Sequence, residues 1–208
     1  MRDALGVFRE ALRDTYDELF LLVPVNLVTL LLLVPVVTGP PAVAGLWAVG
    51  NRVTRGEAVG WRDYFRAFRD HFGRAWALAG LHLAVLGGLA VNLWFYAPGN
   101  NPFPLPPQLS LYIQAIWVGM GVLWLLFSQY LLPLILEQED RRVQVALRNG
   151  AVLLAARPGF AVTLLALTIL VGVFSTFLTA PWFVITPAFL AVLTNGAVLR
   201  LLEPFRET

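Results

Sequence analysis

Long apolar segments separated by short charged ones are the dominant pattern along this chain. Residues 19–51, 75–136 and 158–199 contain no Asp, Glu, Lys or Arg. About 20 apolar residues cross the hydrocarbon core of a bilayer once as an α-helix, so the second and third segments are each long enough for two crossings. The first segment is barely long enough for two crossings. The pattern predicts an all-α membrane protein with a single transmembrane domain, residues 1–208.

The positions of the arginines predict how the helices are oriented. Every Arg lies in residues 1–18, 52–74, 137–157 or 200–208. Because short cytoplasmic segments collect Arg, all four are expected inside. Each uncharged segment then forms one hairpin, which gives about six transmembrane helices with both termini cytoplasmic. The expected location is the bacterial cytoplasmic (inner) membrane.

Proline-rich turns divide the three uncharged segments. The middle segment breaks between Ala97 and Pro107, the third near Thr179-Ala180-Pro181, and the first at Thr38-Gly39-Pro40-Pro41. Proline ends helices or begins new ones, so these breaks suit the external ends of hairpins. Only ten residues then precede Arg52. Whether residues 42–55 cross fully is therefore open, and a half-inserted helix would leave five full spans.

A short amphipathic helix is predicted on the cytoplasmic side before each hairpin. Such a helix has apolar residues recurring every three or four positions, with charges opposite. The expected apolar faces are Leu5, Phe8, Leu12, Thr15 and Leu19 in the first helix, Trp61, Phe65, Phe68 and Phe72 in the second, and Ala146, Gly150 and Leu153 in the third.

Composition narrows the possible functions. The chain is 58% hydrophobic and only 13% charged, with a mean hydropathy of +0.71. It has no Cys, which excludes disulfides and thiolate chemistry. A net charge of +2 without any recognisable motif gives no indication of nucleic-acid binding. The expected surroundings are the lipid bilayer.

Polar side chains inside the predicted spans are the candidates for an intramembrane site. The possible site comprises Asn26, His82, Asn92 and Gln129. A titratable residue within a span is a functional candidate, but the favoured interpretation for His82 is a hydrogen bond between helices. Gly80, Ala84 and Gly88 recur every four residues before Asn92. That spacing predicts a face on which a neighbouring helix packs closely.

Charged residues outside the spans suggest a cytoplasmic surface for anionic lipid headgroups or a partner protein. This surface comprises Arg62, Arg66, Arg69 and Arg74. His71, beside it, is expected to be solvated or to face headgroups. Glu137, Glu139 and Asp140 follow the fourth span, beside two arginines. They are interpreted as an ion-pair cluster, with Asp140 as a helix N-cap, in preference to a cation site.

Several short motifs in the chain resemble those of a known protein family. They are Pro35-Val36-Val37-Thr38, Arg55-Gly56-Glu57, Arg62-Asp63-Tyr64-Phe65, Tyr130-Leu131-Leu132-Pro133 and Ala146-Leu147-Arg148-Asn149. In these the chain resembles the YesL-like family of bacterial membrane proteins, which have no established activity. The resemblance implies an accessory role near carbohydrate uptake, with a membrane transport protein as a possible partner.

Two classes of function remain. Signatures of hydrolases, P-loop proteins and dinucleotide-binding proteins are absent from the sequence, so no enzyme, cofactor or metal is expected. The first hypothesis is a non-enzymatic accessory or scaffold component linked to solute uptake. The alternative is a small transporter or channel that uses the Asn/Gln/His set. Coupled transporters usually carry an intramembrane charge, and the uncharged segments have none, which favours the first. The oligomeric state is not indicated.

Overall fold

The computed structural model describes residues 2–97, 99–100, 103 and 105–206, and this part of the chain is helical with no β-strand. The helices are α1 (Arg2–Asp17), α2 (Leu19–Leu33), α3 (Gly39–Thr54), α4 (Trp61–Asp70), α5 (Phe72–Phe95), α6 (Pro107–Ser128), α7 (Leu131–Glu137), α8 (Val143–Ala156), α9 (Pro158–Leu178), α10 (Ala180–Val184) and α11 (Thr186–Arg206). The all-α prediction is confirmed. In the expected loop after Ala97, Pro98, Asn101, Pro102 and Pro104 lie outside the described residues.

Within the described residues, three helical stretches are long and apolar enough to cross a membrane. They are Phe72–Phe95, Pro107–Glu137 and Pro158–Leu178. Helices α1 and α2, which meet at an angle of 91°, would provide a fourth if they formed one broken span. Many large apolar side chains on these stretches are exposed. The helices are therefore compatible with a membrane protein.

The first predicted hairpin is short. Helices α2 and α3 contain 15 and 16 residues, which corresponds to roughly 22–24 Å of helix at about 1.5 Å per residue. A hydrocarbon core is about 30 Å thick. A turn at Val36–Thr38 joins the pair beside the expected break. The indole nitrogen of Trp76, near the start of α5, donates to the carbonyl of Val37 (3.0 Å), and the hairpin arrangement with six full crossings remains a prediction.

Helix α3 lies at the centre of the fold and packs against α2, α4, α5, α7 and α11. Its small residues permit these contacts. A Cβ on Gly50 would lie 3.0 Å from the carbonyl carbon of Ala191 and from the amide nitrogen of Val192 in α11. A Cβ on Gly45 would lie equally close to the ring of Tyr64 in α4. Glycine is thus required at position 50, where the backbone of α11 contacts α3, and at position 45, where the ring of Tyr64 does.

All three predicted amphipathic segments are helices, and the first buries a different set of residues from its expected apolar face. The buried face of α8 contains Ala146, Gly150 and Leu153, as predicted. In α1 the buried residues are Ala4, Val7, Ala11 and Thr15, whereas Leu5 and Leu12 are exposed. In α4 the buried residue is Tyr64. Small side chains occupy most of the tight contacts of α1, where Phe8 also packs partly against the core, and the buried contact of α4 is the large ring of Tyr64.

The predicted close-packed face on α5 is wrong. Added Cβ atoms on Gly80 and Gly88 would meet nothing within 4 Å, and Ala84 is exposed. Leu89, on another side of the helix, is buried instead. Helix α5 therefore buries Ala75, Leu78 and Leu89 in place of the predicted small-residue face, whereas Gly50 of α3 meets the backbone of another helix.

Candidate functional site

Two of the four predicted intramembrane residues lie apart from any shared site. The side-chain nitrogen of Asn26 donates to the carbonyl of Phe183 (2.8 Å), and its oxygen accepts from the amide of Ala188 (3.2 Å). Asn26 thus satisfies backbone groups at the break between α10 and α11, a structural role. Asn92 donates to the carbonyl of Gly88 in its own helix (2.7 Å).

The other two, His82 and Gln129, line one cavity of about 600 Å³. Helices α3, α5, α7, α9 and α11 surround it, together with the end of α6 and the turn between α2 and α3. The sequence did not indicate the other polar lining residues, Trp47, Ser128, Thr168 and Thr194. A single Trp, Ser or Thr within an apolar span has no distinguishing sequence signal.

Most polar groups around this cavity already have protein partners. The Nδ1 atom of His82 lies 2.9 Å from the carbonyl oxygen of Leu78. The amide nitrogen of Gln129 donates to the carbonyls of Leu126 and Ala161. Trp47 donates to the hydroxyl of Thr194 at 3.0 Å. The hydroxyl of Thr168 and the side-chain oxygen of Gln129 are buried without a described partner.

A polar network joins α3, α7 and α11 on the side of α3 that bears its arginines. The side chain of Glu137 is fully buried and pairs with Arg55. Asn51 donates to Glu137 and, at 3.2 Å, to the oxygen of Asn195. Asn195 donates in turn to the carbonyl of Trp47 (3.0 Å), which links the network to the wall of the cavity. The hydrogen bond with Glu137 raises the pKa of Arg55 above its ordinary value, so the guanidinium keeps its charge.

The predicted acidic cluster is divided in the structure. Glu137 pairs across the fold with Arg55, whereas the exposed Asp140 lies near Arg142, with 3.5 Å between its Oδ1 and the Arg142 Nε. The N-cap of α8 is Arg142, so the expectation for Asp140 is wrong. Among the described residues no His, Asp and Glu groups come together to hold a metal ion.

Helix α4 is held against the fold by its polar residues. Asp63 accepts a hydrogen bond from the amide of Gly60 (3.0 Å) and pairs with Arg52 of α3. The hydroxyl of the buried Tyr64 lies 3.0 Å from that of Thr29 in α2. These contacts fix which side of α4 faces outward.

That outward side carries rings and arginines together. Trp61 and Phe65 of α4 and Phe72 at the start of α5 are exposed, with Phe65 at 51%, whereas Phe68 is half-buried. Three of the four rings of the predicted aromatic stripe therefore face outward. Arg62, Arg66, Arg69 and Arg74 are also exposed. The closest ion pair of this surface, between Arg69 and Asp70 at 3.7 Å, is solvent-exposed and therefore weak.

His71 is buried, with 5% of its surface exposed, so the expectation of a solvated residue is wrong. The short break between α4 and α5 turns its ring inward. Burial lowers the pKa of His71, and Arg141 and Arg74 lower it further, whereas Asp70 opposes them. The folded state therefore favours the neutral ring.

This pKa shift predicts a loss of stability in acid. An unfolded His titrates near pH 6.5, and its folded counterpart titrates lower, so His71 contributes stability above that pH that is lost as pH falls. We expect the thermal midpoint in detergent to drop between about pH 7 and 5, less steeply for His71→Gln than for the unsubstituted chain. Equal pH slopes for both would contradict this role.

Comparison with known proteins leaves the biochemical role open. The family model described as "Protein of unknown function, DUF624" matches residues 20–93. The match supports a relationship to a family of unknown function over α2, α3, α4 and most of α5. No curated protein and no solved structure matches the chain.

Proposed function

We propose that this chain is a non-enzymatic integral membrane protein that acts as an accessory or scaffold component through the exposed surface of α4. In this proposal it crosses the bacterial cytoplasmic membrane six times in three hairpins with both termini inside. The connection to carbohydrate uptake rests on the resemblance to YesL-like proteins alone.

The observation that carries the proposal is the fixed orientation of α4. Tyr64 and Asp63 anchor one side, and the opposite side presents aromatic rings beside arginines. Rings favour the boundary between headgroups and acyl chains, and arginines favour anionic headgroups. Each Arg near an anionic leaflet contributes about 1 kcal/mol to membrane binding, less at high salt. Such a surface can lie along a membrane or against a partner's acidic juxtamembrane face.

A transporter or channel is the second candidate function. Its support is that His82 and Gln129, far apart in sequence, line the same cavity. Against it, the donor groups of Gln129 and Trp47 are directed to protein acceptors, and none of the described residues that line the cavity is Asp, Glu, Lys or Arg. A hydrophilic solute would therefore find few free partners there.

Spin labels on α4 test the proposed interfacial position. In vesicles containing anionic phospholipid, a label at Phe65→Cys should be relaxed by oxygen more than by a water-soluble nickel chelate, because position 65 should lie at the acyl boundary. A label at Asp70→Cys, which is exposed and lies about 140° around α4 from Phe65, should show the reverse ratio.

The same pair of spin labels also defines the results that would contradict the proposed position of α4. Preferential relaxation of both labels by the nickel chelate would place α4 in water and contradict the interfacial position. Shielding of the Phe65→Cys label from both relaxants in vesicles of the purified chain would contradict the exposed ring surface.

A further inference from the structure

The cavity beside α3 has the composition of a site for a hydrocarbon chain. Its walls are mainly the side chains of Leu, Val, Ala and Pro residues, including Val43 of α3 and Leu78 and Ala79 of α5. Each of the three candidate spans contributes to it: α5 with these residues, the α6–α7 stretch with Gln129, and α9 with Thr168. A space lined by all three lies within the segments expected at the depth of acyl chains.

The cavity also adjoins an exposed apolar surface. Val36 lines it and is 74% exposed, and the flanking Val34 and Val37 are exposed as well. These residues belong to the turn between α2 and α3. Exposed valines at such a turn face lipid if the chain lies in a bilayer, so the cavity continues a lipid-facing surface inward.

Hydrogen bonding argues against a water-soluble occupant. Trp47 and Thr194 bond to each other, and the donor groups of Gln129 bond to backbone carbonyls. The Thr168 hydroxyl and the Gln129 side-chain oxygen are left without a described partner, which is too few for a sugar, because each sugar hydroxyl needs a polar partner to leave bulk solvent. A hydrocarbon chain needs none. The volume of about 600 Å³ lies within the usual range for ligand sites, roughly 300–1,000 Å³.

From these observations we infer that one acyl chain of a bilayer phospholipid occupies this cavity, between α3, α5 and α7. This inference rests on the proposed membrane location but not on the role proposed for α4. The bound chain fills the space between α3 and α5, and it enters beside Val36.

A filling substitution and a matched control test the inference. Ala79 lines the cavity, whereas Ala84, on the same helix, is exposed and does not line it. Native mass spectrometry would count the lipids retained by the detergent-purified chain during titration with dioleoyl-phosphatidylglycerol. We expect Ala79→Trp to weaken retention of the first lipid at least tenfold and Ala84→Trp to leave it unchanged. Val43→Trp fills the cavity from α3 instead of α5 and should behave like Ala79→Trp.

Several outcomes would overturn the inference. Retention in both filled variants equal to that of the Ala84→Trp control would show that the lipid binds elsewhere. Binding of free oleate, or of a disaccharide, in place of the phospholipid and with the same sensitivity to Ala79→Trp would assign the cavity to a different ligand. The spin-label result on α4 is independent, so failure of one proposal is distinguishable from failure of the other.

Discussion

Replacing Gly50 with leucine is expected to force helices α3 and α11 apart at the centre of the fold and to destabilise the protein strongly. The added Cβ alone would lie 3.0 Å from backbone atoms of Ala191 and Val192, which cannot rotate away as a side chain could. Overpacking of a core costs about 1–3 kcal/mol, and contact with backbone places this substitution at about 3 kcal/mol or above. The thermal midpoint in detergent would measure the loss.

The control for Gly50→Leu is Gly88→Leu, which makes the same chemical change on an open helix surface. An added Cβ at Gly88 meets nothing within 4 Å, so we expect little change in the midpoint. If Gly88→Leu destabilised the purified chain as much as Gly50→Leu, α5 would have a close helix partner that the structure does not show.

Replacing Glu137 with alanine is expected to lower the free energy of unfolding by about 2 kcal/mol. The substitution leaves Arg55 without its carboxylate and removes an acceptor from Asn51. Breaking a fully buried ion pair costs about 3–5 kcal/mol and breaking an exposed one about 0–1. The buried Glu137 and the partly exposed Arg55 side chain place this pair between those limits.

The adjacent acid supplies the matched comparison for Glu137→Ala. Glu139 is exposed, so Glu139→Ala should change the thermal midpoint by the equivalent of about 0.5 kcal/mol or less. Similar effects of the two substitutions would mean that Glu137 contributes only as one of several surface charges. In that case the network through Asn51 and Asn195 would not hold α7 to α3.

Local periodicity explains what could be predicted from the sequence. The apolar segments and proline breaks located the α2–α3 turn and the break at Thr179, because those signals depend on residues near one another. The buried face of α8 followed from spacing in the same way. Each of these features needs knowledge of one helix only.

Contacts between distant helices explain what could not be predicted. Small-residue spacing pointed to Gly88 on α5, but the close approach occurs at Gly50, whose partner lies about 140 residues later. Glu137 stood among neighbouring acids in sequence, yet its partner is Arg55 on α3. The shared cavity of His82 and Gln129 likewise depends on how α5 and α6 pair. The spacing of residues within one helix does not specify which other helix packs against them.

The accessory proposal requires α4 and the start of α8 to lie on one side of the membrane and the α5–α6 loop on the other. Because the chain has no Cys, single cysteines report sidedness without background. An impermeant thiol reagent added to intact cells should label Asn100→Cys, and should label Gly56→Cys and Gln144→Cys only after the cells are opened. Labelling of Gly56→Cys from outside intact cells would contradict the three-hairpin arrangement and the cytoplasmic position of the α4 surface.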